Sequence, residues 1–277
     1  MITRHHIALT TLCTLIICSA LVPDSPLIIL VICLGAGIGT ILPDIQMQKP
    51  KTLKARTLAW LVARFTRAVC TPLMCFLYWG TKGKNPDPDD KRLTHSVPGI
   101  ACIWLTLAFA ALLPCLVLYG SWVPELPVAF LAGVLTGLIL HLIQDACTRK
   151  GITPLYPFSE TMVFGSIRPC DTTDRRIAQF HYYHYSVTGI ILGFQLLRSW
   201  QGFAALPICI FGVVSCLGMM IWSSEISIRT TDEREPVPAE QERIRLDPLN
   251  FTGIPDTSAS GLMMGVYYFN KRVRWML

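Results

Sequence analysis

The sequence predicts an all-α membrane protein, a polytopic bundle of about six transmembrane helices. Of the 277 residues, 52% are hydrophobic and only 15% are charged, whereas charged residues make up about a quarter of a typical soluble domain. Five strongly apolar runs approach the ~20 residues that cross a bilayer: 7–23, 26–43, 97–119, 122–140 and 202–222. A sixth run, Ser186 to Leu197, is long enough only with the aromatic stretch Phe180–Tyr185, and without it the count is five.

The first two runs predict a helical hairpin over residues 7–43 rather than a cleaved leader. Arg4 is the only strong positive charge before the first run, no small-residue cleavage site precedes Pro23, and the apolar pattern resumes at Pro26.

The segment 51–80 does not fit a span. Residues 51–67 are basic with apolar side chains at nearly helical spacing, which predicts an amphipathic helix on the membrane face. Residues 68–79 are apolar but too few to cross, so we interpret them as a re-entrant or interfacial piece. We place the membrane-embedded domain at 1–222 and a cytoplasmic tail at 223–277, whose charged portion 232–247 predicts a flexible arm.

The distribution of Lys and Arg predicts the orientation. Ten of the 24 fall between Ile45 and Thr94, five within 146–185 and seven after Trp222. By the positive-inside rule, both termini and the two long loops face the cytoplasm. The formal net charge of +6 is then a topology signal. Direct nucleic-acid binding is not expected, because these charges mostly meet anionic membrane lipid.

Five ionisable residues stand at the ends of the apolar runs, where such groups are costly and usually functional. They are His6, Asp44, His95, His141 and Asp145. If 68–79 does not cross, the two hairpins return all five to the cytoplasmic face. Three imidazoles and two carboxylates favour a first-row metal ion, and none of the 11 cysteines forms a CxxC pair that would offer thiolates.

Each of these residues also has a structural interpretation. In HLIQD, His141 and Asp145 share one face of a helix and suit a joint ion or a buried hydrogen bond. Asp44 and His95 suit ligands or simple interfacial residues. We choose His6 over its neighbour His5 because His6 is nearer the helix. The two histidines of FHYYHY, His181 and His184, fit an aromatic belt at the interface.

These motifs, in this order, resemble the YdjM family of inner-membrane-associated metal-dependent hydrolases. The resemblance covers residues 1 to about 160: His6 before the first span, LPDI with Asp44, THS with His95, and GLILHLIQDACTRKGITPLYPFS from Gly137 to Ser159. The last block is the most specific, with HxxxD, TxxG and PLxxP in register. The resemblance implies a prokaryotic inner-membrane protein, and the chain beyond about residue 200 lies outside it.

The family is distantly similar to zinc phospholipases C and fungal single-strand nucleases, all-helical enzymes with clustered zinc ions. That likeness implies a first ion held by Asp44, His95, His141 and Asp145, and a second bound by His6 and Asp145. Two positions depart from the family pattern: Gln46 replaces the second acid of LPDID, and Asp90 stands where HRGxTHS has its histidine. We therefore expect one or two divalent ions, Zn²⁺ in preference to Mn²⁺.

The resulting hypothesis is a hydrolase in which metal-activated water attacks a phosphoester, with membrane phospholipid as a candidate substrate. Asp90 is the candidate general base. Arg92, Arg149 and Lys150 are candidate phosphate ligands near the mouth of the site, or simply positive-inside charges.

Two other function classes stay open from the sequence. A metal or ion transporter would use the same ligands, although the spans offer few polar residues to continue a path. A non-catalytic scaffold would recruit a soluble protein partner through the charged tail.

Overall fold

The computed structural model of the chain describes residues 3–47, 58–84, 87, 90–120, 125–169, 171, 174–196 and 205–230. Within these residues, the helices are α1 (Thr3–Leu21), α2 (Pro26–Met47), α3 (Leu58–Lys82), α4 (Val97–Tyr119), α5 (Glu125–Ala146), α6 (Arg176–Leu196) and α7 (Ala205–Ser223). A short 3-10 helix, Lys91–Leu93, precedes α4. Two three-residue strands, β1 (Met162–Phe164) and β2 (Ser227–Arg229), pair antiparallel. The predicted all-α class is confirmed.

Five of the described helices are long and apolar enough to cross a membrane, the lower of the two predicted counts. They are Arg4–Leu21, Pro26–Asp44, Val97–Leu118, Glu125–Ala146 and Ala205–Ser223. The fourth continues past its predicted end at residue 140. His141 and Asp145 therefore lie in the last two turns of α5.

The predicted sixth span corresponds to α6, a helix too rich in His, Tyr and Gln to join that set. Its packing still places it beside α1 and α7. One buried cluster joins Leu9 of α1, Phe180 of α6 and Met220 of α7, and another joins Ile16, Ile191 and Cys209. Helices α1 and α6 thus run in the same direction, and α7 runs back between the same two levels.

The segment predicted as an amphipathic helix followed by a re-entrant piece is one continuous helix, α3, over its described residues. The prediction divided it where the composition changes from basic to apolar, but backbone hydrogen bonding does not depend on that change. The thiol of Cys70 lies 3.6 Å from the carbonyl oxygen of Cys102 and 3.4 Å from Thr106 Oγ1 on α4. Residues 51–57 lie outside the described part of the chain.

Helices α2 and α5 form the tightest pair, and they run parallel. Gly133 faces the backbone of Ile32, and Gly137, one turn later, faces that of Ala36. A Cβ atom at either glycine would overlap a carbonyl oxygen of α2. Small residues four apart allow this close approach between membrane helices. The pair brings the carboxyl ends of both helices to the same end of the bundle.

The described part of the loop after α5 lies at that end of the bundle. Thr148 bridges to Ile167 and Ile152 to Val163, so the loop folds back on itself. The amide of Val97, the first residue of α4, donates to the carbonyl oxygen of Pro154 at 2.7 Å. The start of α4 is therefore held by the loop that follows α5.

Candidate metal centre

Helix α5 supplies two side chains of the site, one helical turn apart. His141 Nε2 lies 3.6 Å from Asp145 Oδ2. His141 is fully buried and Asp145 is 3% exposed. The i, i+4 spacing in HLIQD therefore places both groups on one face, as the sequence predicted.

Asp44 and His95 reach the same point from two other elements. Asp44 follows Pro43, which lies inside α2 because the helix continues to Met47. His95 precedes Ser96, whose side chain accepts from the Gly99 amide and caps α4. His95 Nε2 lies 3.2 Å from Asp44 Oδ1. The two predicted residues are thus in contact.

The imidazole of His95 is oriented by its other ring nitrogen. With its hydrogen on Nδ1, the ring donates to the carbonyl oxygen of Lys91 at 3.2 Å, and Thr94 Oγ1 lies 3.0 Å from the same nitrogen. The lone pair of Nε2 then points at Asp44 and at Asp145 Oδ2, which is 3.7 Å away. A backbone carbonyl behind the imidazole is the usual second partner of a metal-binding histidine.

Together these four side chains form a compact donor group. The ligand atoms of Asp44, His95, His141 and Asp145 all lie within 4.8 Å of one another. A single ion can therefore contact all four. This is the set that the sequence resemblance implied for a first ion.

His6 approaches the group from α1. Its Nε2 lies 3.3 Å from Asp145 Oδ1, and its ring centroid is 4.6 Å from that of His141. His5 instead pairs with His181, with 2.8 Å between their ring nitrogens. The structure thus favours His6 over His5 as the residue nearer the carboxylates.

The donor atoms fit a divalent cation. Among the residues that the structure describes, none hydrogen-bonds to the buried His6 Nε2 or to either ring nitrogen of His141. Each such unpaired buried atom lowers the free energy of unfolding by on the order of 1–3 kcal/mol. Two carboxylates facing imidazole lone pairs also need positive charge nearby. Imidazole nitrogen and carboxylate oxygen are ligands that suit Zn²⁺ and Mn²⁺.

Comparison with known protein families agrees with the family resemblance seen in the sequence. The family model of the YdjM inner membrane protein matches residues 1–224. The chain belongs to the YdjM inner membrane protein family. The match includes α6 and α7, so the prediction that the resemblance stops short of residue 200 is wrong. No curated protein and no solved structure matches the chain.

Lys91 is a residue of the site that the sequence analysis did not single out. In this YdjM family member, its ammonium lies 3.1 Å from Asp145 Oδ2 and 3.8 Å from Asp44 Oδ1, and its side chain is 44% exposed. The only sequence signal was its place four residues before His95, within a loop of similar charges. Lys91 brings a cation to the solvent side of both carboxylates.

A cavity of about 810 Å³ opens over the same two carboxylates. Its basic lining includes Lys91 and two of the three predicted phosphate ligands, Arg149 and Lys150. Arg168 also lines it, although the sequence analysis did not select that residue. The cavity therefore combines metal-type donors on its floor with cations on its walls.

Asp90 and Arg92 form a separate contact. Arg92 Nη2 donates to Asp90 Oδ2 at 2.8 Å, and the guanidinium carbon lies 4.7 Å from the ring centroid of Tyr156. Burial would raise the pKa of Asp90, but the hydrogen bonds from Arg92 outweigh it and hold that pKa below its usual value. A carboxylate so paired is a weak proton acceptor. The roles predicted for both residues stay predictions, and the contact favours a structural one.

The two histidines of the aromatic belt lie apart from the four-residue group. His184 is buried, with Nδ1 2.7 Å from the carbonyl oxygen of Phe180. His181 contacts His5 and stacks on Tyr185, with ring centroids 6.0 Å apart.

Proposed function

We propose that this membrane protein is a metal-dependent hydrolase that acts on phosphoesters at the membrane surface. The observation that carries the proposal is the meeting of Asp44, His95, His141 and Asp145 within 4.8 Å beneath a cavity lined by cations. Zn²⁺ is the preferred ion and Mn²⁺ the alternative, because both accept mixed imidazole and carboxylate ligands. The positive-inside rule places the site on the cytoplasmic side.

In this proposal, residues on the floor of the cavity bind the metal and residues on its walls bind the substrate. Asp44, His95, His141 and Asp145 would hold one ion, and His6 with Asp145 would contribute to a neighbouring one. A bound ion supplies a water acidic enough to react near neutral pH. Lys91, Arg149 and Lys150 would hold the anionic oxygens of the substrate against that water and balance their charge.

A phosphoester is favoured because four cationic side chains line the cavity: Lys91, Arg149, Lys150 and Arg168. Phosphate oxygens accept hydrogen bonds from ammonium and guanidinium groups, and such charge-assisted bonds are strong. Phospholipid is one source of this chemistry at a membrane, and a soluble phosphoester is the other. Short-chain and vesicular substrates distinguish the two.

The contacts of α1, the helix that leads away from the site, give less support to a transporter function. Below His6, two polar residues of α1 are buried and hydrogen-bonded to the helix backbone: Thr14 Oγ1 donates to the carbonyl oxygen of Thr10 at 2.8 Å, and Ser19 Oγ to that of Ile16 at 2.7 Å. Leu9, Cys13 and Ile16 pack between them. These contacts leave no polar path along this face of α1.

The first test is metal content by mass spectrometry on detergent-purified protein. We expect one to two Zn²⁺ or Mn²⁺ per chain in the wild type, and loss of the metal in His141→Ala and Asp145→Ala. His184→Ala is the matched control, because it removes an equally buried histidine outside the four-residue group and should keep the metal.

The same proteins then test hydrolysis with p-nitrophenyl phosphate and bis-p-nitrophenyl phosphate. We expect hydrolysis that a chelator removes and Zn²⁺ or Mn²⁺ restores, reduced at least a hundredfold in the two site variants. Wild-type protein that neither contains nor takes up metal would overturn the proposal. Metal-loaded protein that cleaves no phosphoester would retain the site and reject the reaction.

A further inference from the structure

A buried amide stands directly behind His6. Gln144, on α5 between the two site residues of HLIQD, is 1% exposed, and His6 and Thr10 of α1 are fully buried. Gln144 Oε1 lies 2.7 Å from His6 Nδ1. Gln144 Nε2 donates to Thr10 Oγ1 at 3.0 Å. These three side chains form a relay that links α1 to α5 and ends at the carboxylate of Asp145.

The direction of the relay determines where the His6 ring carries its hydrogen. The amide nitrogen of Gln144 is turned to Thr10, so its oxygen faces His6. An amide oxygen only accepts, and His6 must therefore donate from Nδ1. A neutral imidazole has one N–H, which leaves a lone pair on Nε2.

That lone pair points at another electron-rich atom. His6 Nε2 lies 3.3 Å from Asp145 Oδ1 and has no hydrogen-bond partner in the described part of the chain. A lone pair and a carboxylate oxygen at this distance, both buried, repel each other unless a cation lies near both. The ammonium of Lys91, 3.1 Å from Asp145 Oδ2, offsets part of this repulsion, and a divalent ion shared by His6 Nε2 and Asp145 Oδ1 would remove the rest.

We propose that Gln144, anchored by Thr10, is a positioning residue that fixes His6 as the Nδ1–H tautomer and so makes Nε2 a metal ligand. The inference rests on the metal-binding half of the proposed function and is independent of the hydrolytic half. A partner behind a metal-binding histidine orients the ring, and its loss typically costs tenfold to a hundredfold in metal affinity.

The decisive measurement uses the metal-free wild type and needs no variant in the relay. Long-range proton–nitrogen correlation spectra of protein labelled with ¹⁵N-histidine distinguish the two neutral tautomers and the doubly protonated ring. The chain has six histidines, and the His6→Gln spectrum identifies the His6 signals by their disappearance. We expect hydrogen on Nδ1, whether or not the metal-free ring also carries one on Nε2, because the bond to Gln144 needs only the Nδ1 hydrogen. Hydrogen on Nε2 alone would overturn the proposal, since the amide would then be reversed.

Zn²⁺ affinity, measured by competition with a chelator, gives the second readout. Gln144→Leu should bind the ion at the His6 position tenfold to a hundredfold more weakly. Gln144→Glu should recover most of that loss, because a carboxylate oxygen also accepts from Nδ1–H. A Gln144→Leu protein that binds within twofold of the wild type at every site would contradict the relay.

Thr14→Val is the matched control for packing. It removes another buried hydroxyl from α1, one that bonds the backbone of Thr10 rather than the relay, and should leave the affinity unchanged. If Gln144→Leu does not fold, the tautomer in the wild type still decides the question. Zn²⁺ binding without hydrolysis would reject the proposed reaction and leave the role of Gln144 standing. Hydrolysis by a protein whose His6 carries its hydrogen on Nε2 would support the reaction and reject the role of Gln144.

Discussion

At the scale of single residues, Arg176 ties three distant parts of the chain together. Its guanidinium donates to Asp174 Oδ2 at 2.7 Å, to Ser166 Oγ at 2.6 Å and to the carbonyl oxygen of Ser223 at 3.1 Å. The start of α6, the loop after α5 and the end of α7 meet in this one side chain. Charge-assisted, multidentate bonds of this kind are among the stronger polar contacts in proteins.

The pH dependence of stability should report this contact. Hydrogen bonds from Arg176 lower the pKa of Asp174 from its usual value near 3.8 to about 2. A lowered pKa means that the carboxylate stabilises the fold above about pH 4 and loses this effect as the pH falls toward 2. We expect Asp174→Asn to lower the Tm in detergent at pH 7, by an amount that shrinks to nothing across that range.

Asp24→Asn serves as the comparison for the Asp174 variant, because it removes an exposed carboxylate from the connection between α1 and α2. Its Tm should follow the wild type at every pH. A Tm difference for Asp174→Asn that stays constant from pH 7 to pH 2 would show that the ion pair is not its source.

The sequence identified the metal-type donors but not the residues that orient them. Asp44, His95, His141 and Asp145 could be predicted because ionisable groups beside apolar runs are unusual. Lys91 and Gln144 were not predicted because their roles depend on partners far along the chain: Lys91 hydrogen-bonds to Asp145, and Gln144 to His6. In the sequence, one is a loop lysine among several and the other an ordinary amide.

At the scale of helices, the parallel pair α2 and α5 fixes the floor of the site. Gly35 and Gly39 on α2, and Gly133 and Gly137 on α5, let the two backbones touch. Asp44 lies one turn beyond this contact on α2, and His141 lies one turn beyond it on α5. The distance between these ligands is therefore set by helix packing rather than by loops.

Gly137→Ala should separate this pair. The added Cβ would overlap the carbonyl oxygen of Ala36, and overpacking of this kind typically costs about 1–3 kcal/mol. We expect a lower Tm and weaker Zn²⁺ binding. Gly193→Ala is the control, since nothing lies within 4 Å of its Cβ, and Ala is the better helix former. Equal Tm values for the two variants would show that the helix contact is looser than described.

Sequence reasoning at this scale succeeded for the apolar runs but missed the continuity of α3. A run of about 20 apolar residues is most stable when it crosses the bilayer. A helix that changes from basic to apolar partway can lie on the membrane surface or enter it in part. The two G-x-x-x-G spacings of α2 and α5 were visible in the sequence and predict close helix packing. They are the signal that could have identified the pairing.

At the scale of the whole molecule, the predicted tail begins inside the folded body. Residues 227–229 pair with β1, and the carbonyl oxygen of Ser224 accepts from the Ser166 amide at 2.7 Å. The charged portion 232–247 and the terminal apolar patch lie outside the described residues, and their roles stay predictions.

Two truncations test this boundary. Removal of residues 231–277 should leave the Tm and the metal content unchanged, because the sequence predicts a flexible arm over the charged portion 232–247. Removal of 224–277 should lower the Tm, since it takes away β2 and the acceptor for Ser166. If the chain that ends at residue 223 is as stable as the chain that ends at residue 230, the boundary of the folded domain lies at the predicted residue 222. Capture of a soluble partner, if the tail recruits one, should be lost in both.

The meeting of three independently held pieces of chain at one site has a consequence for the life of the protein in the cell. Asp44, His141 and Asp145 belong to the α2–α5 pair, His95 to the segment before α4 and His6 to α1. Ions held between these pieces would act as tertiary cross-links, and binding to the folded state alone would add to its stability. We expect metal-starved cells to degrade this protein faster than metal-replete ones, so that its abundance follows the supply of the ion.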